Sequence, residues 1–394
     1  MSQPEIALLS GVRTAIGDYG GALKDVPPTQ LAAQVIREAV ARSGVPATEI
    51  GACVFGNVIH TEPKDMYLSR VAAVDGGLPH TSQAFTLNRL CGSGLQAIIC
   101  AAQQIMLGDT QAAVAGGAES MSRGLYGSAS ARWGQRMGDA TLMDMMVGAL
   151  TDPFDTIHMG ITAENVAERY GVNRADQDAL AVLSHQRATA AQAAGRFKEQ
   201  IVPVELKTRK GVTLFDTDEH VRADASLEGM AKLRTAFKPD GTVTAGNASG
   251  INDAAAAVVL MDGAAARARG LKPMARLVGY ALAGVEPKYM GIDPIPAVQQ
   301  VLARTGLKVS DMDVIELNEA FAAQALACTR ELELDAERLN PNGSGISLGH
   351  PIGATGAIVT VKAMYEVQRC GGRYALISMC IGGGQGIAAI IERW

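Results

Sequence analysis

Aromatic side chains are scarce, 4 % of 394 residues, so large ring clusters cannot form the core. With 48 % hydrophobic residues and 44 glycines, the interior is expected to rest on small aliphatic side chains, tight turns and close backbone approach. That profile fits an α/β enzyme of two or three structural units. A basic surplus is also missing. The formal net charge of -5 argues against nucleic acid or an anionic membrane as the main partner. No apolar run approaches the roughly 18–20 residues of a membrane span. Residues 1–14 lack the basic start and apolar core of a signal peptide. The expectation is a soluble, cytoplasmic protein. Six cysteines, at 53, 91, 100, 328, 370 and 380, form no CxxC pair and no Cys/His metal spacing, so reduced thiols and no metal are expected. The P-loop and Rossmann phosphate fingerprints are absent too.

What is present starts with Cys91. In Leu90-Cys91-Gly92-Ser93-Gly94-Leu95-Gln96 an apparent strand gives way to a helix, with a thiol on the helix's first turn. Free N–H groups and the helix dipole favour a thiolate there, and the thiolate is the reactive form. A cysteine beside glycines also occurs in tight buried turns, so Cys91 needs partners to count as a nucleophile. Gly349-His350-Pro351-Ile352-Gly353 and Cys380-Ile381-Gly382-Gly383-Gly384 supply candidates. Cys53, Cys100, Cys328 and Cys370 lie in apolar stretches and read as small core residues.

The chain reads as a duplication. A helix over 32–42, stopped by Gly44, precedes a strand over 50–55; a helix over 298–304, stopped by Gly306, precedes a strand over 312–317. Further on, Cys91-x-x-Gly94 and His350-x-x-Gly353 each open a helix, and each helix is followed by a glycine-bearing strand. Cys91 and His350 therefore hold equivalent places in two copies. Strands alternating with helices imply parallel sheets covered by helices, with functional groups at the carboxyl ends of the strands.

Between the copies, over 120–246, the pattern changes to a Met-rich stretch, a helix introduced by Asn173 and closed by Gly195, and a charged segment. The implied organisation is a first half over 1–119 and 247–270, an inserted lid over 120–246, and a second half over 271–394. Lys207, Arg209 and Lys210 form the one local basic cluster in the charged segment and read as solvated surface.

Taken together, Asn88-Arg89-Leu90-Cys91-Gly92-Ser93-Gly94, Asn318-Glu319-Ala320-Phe321, Gly349-His350-Pro351-Ile352-Gly353 and Cys380-Ile381-Gly382-Gly383-Gly384 stand in the order and spacing of the thiolases. The chain resembles that family over essentially its whole length, and within it the bacterial acetyl-CoA acetyltransferase and β-ketothiolase group, including enzymes that feed polyhydroxyalkanoate synthesis. The resemblance implies a five-layered αβαβα fold of two similar halves with an inserted loop domain. It also implies a homotetramer built as a dimer of dimers, with contacts in 120–150.

The same resemblance makes Cys91 the acyl-carrying nucleophile, His350 its base, and Cys380 the acid or base at the α-carbon. It gives Asn318 a water that, with His350, stabilises the enolate, and it makes the N–H groups of Cys91 and Gly382 the oxyanion donors. It places CoA, a substrate rather than a cofactor, against His158-Met159-Gly160 and Arg222, along Ala245, Gly246 and Ser249, and near Met290 and Phe321. His158 is read as a wall or hydrogen-bonding group. Ser344 and Gly229 depart from the family pattern, which bears on chain length and CoA contacts. The implied reaction is Claisen condensation of acetyl-CoA with a short acyl-CoA, or its reverse. The alternatives are a degradative medium-chain 3-ketoacyl-CoA thiolase, a decarboxylating ketoacyl synthase of the same superfold, and a silent acyl-CoA-binding protein.

Overall fold

The computed structural model describes residues 4–209 and 211–394, so Lys210 of the basic cluster lies outside the described residues. The first half runs β1 (Ile6–Arg13), α1 (Pro28–Ser43), β2 (Ala52–Gly56), α2 (Leu68–Asp75), β3 (Gln83–Leu87), α3 (Ser93–Leu107) and β4 (Ala112–Ser120). A long excursion carrying α4 (Met159–Arg169) and α5 (Arg174–Ala193) follows before the chain returns as β5 (Asn252–Asp262). The second half runs β6 (Ala275–Gly284), α6 (Pro294–Thr305), β7 (Met312–Leu317), α7 (Ala322–Glu331), α8 (Ile352–Arg369), β8 (Tyr374–Ile381) and β9 (Gln385–Arg393). Both α1 and α6 end on a left-handed glycine, Gly44 at φ 74° and Gly306 at φ 72°. The place that β3 takes beside β2 is marked in the second half only by Leu339, bridged in parallel to Ile315.

The strand order is β7-β8-β9-β6-β1-β5-β4-β2-β3. The sheets are mixed, which corrects the expectation of parallel pairing. Strand β2 runs parallel to β3 and β4, and β7 to β8, but β4/β5, β5/β1, β1/β6, β6/β9 and β9/β8 are antiparallel. The reason is local for β9: it follows β8 through the Gly382–Gly384 turn with no crossover helix, and so must run back.

Alternation along the strands sorts side chains into layers. Leu8, Val54, Ala115 and Val258 from one half and Ile377, Met379 and Ile391 from the other face the same central core as α3 and α8. Their neighbours Leu9, Phe55, Val114 and Val259 face α1 and α2, while Ile315, Leu317, Leu376 and Ile390 face α6. The result is the αβαβα stack. The stretch Leu90–Leu107, with mean hydropathy 1.4, is long and apolar enough to cross a membrane, contrary to the sequence reading. It is the middle-layer helix with the turn before it, apolar because more than half of it is packed into the central core, with Gln96, Gln103 and Gln104 breaking the apolar surface.

Helices α3 and α8 touch backbone to backbone. A Cβ on Gly94 would lie 2.6 Å from the Ala357 nitrogen, and one on Gly356 would collide with the Leu95 nitrogen. This contact sits at the N-terminal turns of both helices, so it brings together whatever immediately precedes them: Cys91 and His350.

Candidate active site

Cys91 sits one turn earlier than expected, in a 3-10 turn over Leu90–Gly92, and α3 begins only at Ser93. Leu90 has φ 44°, a left-handed conformation that costs energy for a branched side chain and persists only where neighbours hold it. Asn88 Oδ1 accepts from the Leu90 N–H at 2.8 Å; Ser93 Oγ accepts from the Arg89 N–H at 2.9 Å and donates to Leu90 O at 2.7 Å. Gly92 lets this turn lie against β8, since a Cβ there would collide with Ile381. The nucleophile-elbow geometry stands, but it is made by the pinned turn.

His350 is buried, and its N–H donates to Asn252 Oδ1 at 2.9 Å. Its Nδ1 lies 2.7 Å from Thr355 Oγ1, whose own hydrogen goes to Pro351 O at 3.0 Å. On this network Nδ1 carries the ring proton and Nε2 keeps a free lone pair. Nε2 has no hydrogen-bond partner among the described residues. Burial lowers the pKa of His350 to about 4, so the ring is a neutral base at physiological pH.

Cys380 ends β8 fully buried, in an apolar cluster with Met159, Met290 and Phe321. Burial pushes the Cys91 thiol up to about 12, helped by the Asp293 and Glu119 carboxyls and opposed by the N–H groups of Gly382 and of Cys91 itself. Burial pushes Cys380 well above the ordinary thiol range, with Asp293 and Cys91 adding to it. The two sulfurs act on one another and titrate as a set with their neighbours. Burial therefore works against a thiolate at both sulfurs, and at Cys91 it outweighs the N–H donors of the turn and of Gly382.

The site opens into a cleft of about 550 Å³ lined by Cys91, His350, Met159, His158, Met290, Phe321, Ala245, Ser249 and Arg222, among others. Asn318 is buried beside the imidazole, its side-chain amide 3.4 Å from His350 Nδ1; with the ring proton on Nδ1 the amide nitrogen makes no hydrogen bond there. His158 caps α4 by accepting from the Gly160 N–H at 3.0 Å and stacks on Phe237 at 4.7 Å, which fits the wall role. Gly160, covered by the Phe237 ring, and Gly246 are the exceptions among the expected contacts. Gly246 does not line the cleft, because its backbone is packed under Met230 and Leu233. Ser344, one of the two departures, is buried and donates to Leu317 O at 3.2 Å.

Several residues were missed in the sequence. Phe237 lines the cleft and meets Phe321 edge-on at 6.3 Å; a lone aromatic in a charged segment gives no signal. Glu119 accepts from the N–H groups of Val58, Ile59 and Gly353 at 2.9–3.0 Å, tying the start of α8 to the loop after β2. Burial raises its pKa to about 8 against those donors. Asn252 holds the His350 backbone on one side and Asp18 Oδ1 at 3.4 Å on the other. Asp18 in turn pairs with His220 and accepts from Arg222 Nη2 at 3.1 Å. The cysteines divide differently from expectation: Cys53 and Cys328 are buried, Cys100 is half-buried, and Cys370 is exposed because it caps the solvent end of α8.

A thiol and an imidazole with a free Nε2 lining one cleft, with a second thiol sealed beneath its wall, suit acyl transfer between sulfur atoms. The models of the thiolase N-terminal and C-terminal domains match residues 6–264 and 271–393. The chain belongs to the thiolase family. It is 66 % identical over 390 residues to the beta-ketothiolase BktB of Cupriavidus necator, covering 99 % of each chain. It is 50 % identical to an acetyl-CoA acetyltransferase of Chromobacterium violaceum, over 99 % of this chain and 100 % of that one. Among solved structures, the Bacillus anthracis acetyl-CoA acetyltransferase matches with TM-score 0.98 at 46 % identity over the full length of both chains. Human mitochondrial 3-ketoacyl-CoA thiolase in complex with CoA matches with TM-score 0.96 at 40 % identity, over 99 % and 98 % of the two chains. As a thiolase, the protein is an acyltransferase.

Proposed function

We propose that this thiolase catalyses the reversible condensation of acetyl-CoA with a short acyl-CoA, and the CoA-dependent cleavage of the 3-oxoacyl-CoA product, through an acyl group carried on Cys91. The observation that carries this reading is the unpartnered Nε2 of His350, a neutral base in the same cleft as the Cys91 thiol. His350 takes the Cys91 proton as sulfur attacks the thioester carbonyl, and returns it to the departing CoA sulfur. Thioester is exchanged for thioester, so little energy is lost. The N–H groups of Gly382 and Cys91, already directed at this sulfur, are the donors for the tetrahedral oxyanion.

In the second half-reaction His350, neutral again, takes the Cys380 proton, and the resulting thiolate removes a proton from the α-carbon of the next acetyl thioester. The enolate, its oxygen met by the protonated His350 and by a water on Asn318, attacks the acyl carbon, and the Cys91 sulfur leaves and takes the proton back from His350. CoA lies along Ala245 and Ser249 with its outer end at Arg222, His158 and Phe237 form a wall, and Met159, Met290 and Phe321 bound the acyl group. CoA is substrate, and no further cofactor takes part. The 120–246 segment is a lid whose first part, with Leu125, Tyr126, Trp133, Met137 and Met143 exposed, forms the tetramer contact of a cytoplasmic enzyme. The apolar inner cleft also admits longer chains, which would suit a degradative medium-chain thiolase.

The test is thiolysis across a 3-oxoacyl-CoA series, with mass spectrometry of the Cys91 peptide after exposure to acetyl-CoA. An acetylated Cys91 peptide and turnover peaking at short chains are expected. Turnover with no acyl adduct on Cys91 would end the reading.

A further inference from the structure

Asp293 immediately precedes α6, where an aspartate ordinarily accepts hydrogen bonds from the helix's own first N–H groups. Here it makes no such bond. Its Oδ2 accepts instead from the Ile381 N–H at 3.3 Å. Ile381 stands between Cys380 and Gly382, so this side chain grips the segment that carries one catalytic thiol and a donor aimed at the other. The position is built for close approach: a Cβ on Gly386 of β9 would collide with Asp293 O. Asp293 is fully buried, and its Oδ1 has no partner.

The titratable groups facing it are Cys91 from the turn before α3, Cys380 from β8 and Cys328 from α7. Among the described residues it forms no ion pair. A carboxylate in that place would have only the Ile381 N–H and its own N–H as donors and no counter-charge, whereas the neutral acid is spared the cost of an uncompensated buried charge. Burial accordingly raises the Asp293 pKa well above its ordinary value. A buried site with two thiols and a carboxyl cannot readily hold two negative charges.

We propose that Asp293 is a positioning residue, kept as a neutral acid during turnover, which fixes the Cys380–Gly382 segment and competes with Cys91 and Cys380 for the one negative charge the site tolerates, so that its ionisation sets the alkaline limit of activity. This extends the thiolase reading and rests on it.

Asp293→Asn keeps the shape and the acceptor for Ile381 but cannot ionise. In this variant the alkaline fall of kcat for thiolysis disappears, and acetyl-CoA-protected alkylation of Cys91 shifts to lower pH by about one unit, about 10-fold faster at a given pH below the thiol's titration. Stability gives an independent readout. The unfolded chain releases the Asp293 proton near pH 3.9 while the folded chain retains it, so stability is lost as pH rises above that value. The variant therefore melts higher than the parent at pH 7, and the gap closes toward pH 4. Asp293→Ala, which also removes the hydrogen bond, shows the same displaced pH profile with a lower kcat. Unchanged profiles in both variants, with a melting temperature lowered equally at every pH, mean a purely structural role and overturn the proposal. Absence of acyl transfer in the parent enzyme would instead overturn the thiolase reading.

Discussion

In the proposed mechanism the two cysteines do different work because of where each sulfur sits. Cys91 faces the cleft, and Cys380 is sealed behind it. Cys380→Ser should still acquire an acetyl group on Cys91 but lose condensation by about 10²–10⁴, since only the second half-reaction draws on it; quenched-flow acetylation beside steady-state condensation separates the two. His350→Ala should slow acetylation itself by a similar factor. Labelling speed alone would mislead, because exposed Cys370 will react readily. The diagnostic is that acetyl-CoA shields Cys91 and leaves Cys370 untouched.

Cys91, His350 and Cys380 were legible because each lies in a short glycine-rich run, and Asn318 because Asn318-Glu319-Ala320-Phe321 stands with those runs in a distinctive order. Asp293, Asn252 and Thr355 were not. Each lies in a run that reads locally as an ordinary cap, strand start or helix residue, and its significance comes from a contact distant in sequence. The protonation of the thiols was illegible for a related reason: burial decides it, and burial belongs to the assembled layers.

At the level of elements, the contact of α3 with α8 sets the separation of nucleophile and base. Gly94→Ala places a methyl 2.6 Å from the Ala357 nitrogen, and backbone cannot step aside as a side chain can. Overpacking of this kind costs about 1–3 kcal/mol. The helices would part, and Cys91 acetylation should fall by more than about 10-fold, since a displacement near 1 Å can cost about 100-fold. Calorimetry and acetylation kinetics on one preparation measure both effects, and an unaltered acetylation rate would show that the crossing does not gauge the site. The repeated units around Cys91 and His350 could be placed from periodicity and stop signals, with α1, α3, α6 and α8 and the strands β2, β4, β7 and β8 that follow them. Strand direction could not: a glycine turn such as Gly382–Gly384 looks the same whether the next strand doubles back or crosses over.

For the whole molecule, the excursion between β4 and β5 is secured to the first half by an ion pair with no solvent contact. Arg13 meets Asp218 through two hydrogen bonds, at 2.6 and 2.9 Å. Asp218→Asn strands the buried guanidinium and should cost about 3–5 kcal/mol, visible as a large drop in denaturation midpoint.

Buried histidines give the fold an acid weakness. Burial holds both His185 and His350 near pKa 4. The unfolded chain takes these protons near pH 6.5, so stability is lost as pH falls from there toward 4. His185→Gln, which retains an acceptor for the Arg222 N–H, should flatten that decline in melting temperature.

The pairing of equivalent helix starts has a consequence during synthesis. A nascent chain emerging from the ribosome exposes Cys91 long before His350 and Cys380 exist, and a lone thiol with no base beside it exchanges thioesters only slowly. Acyl transfer at the full rate of the assembled site waits until the last strands close over the first.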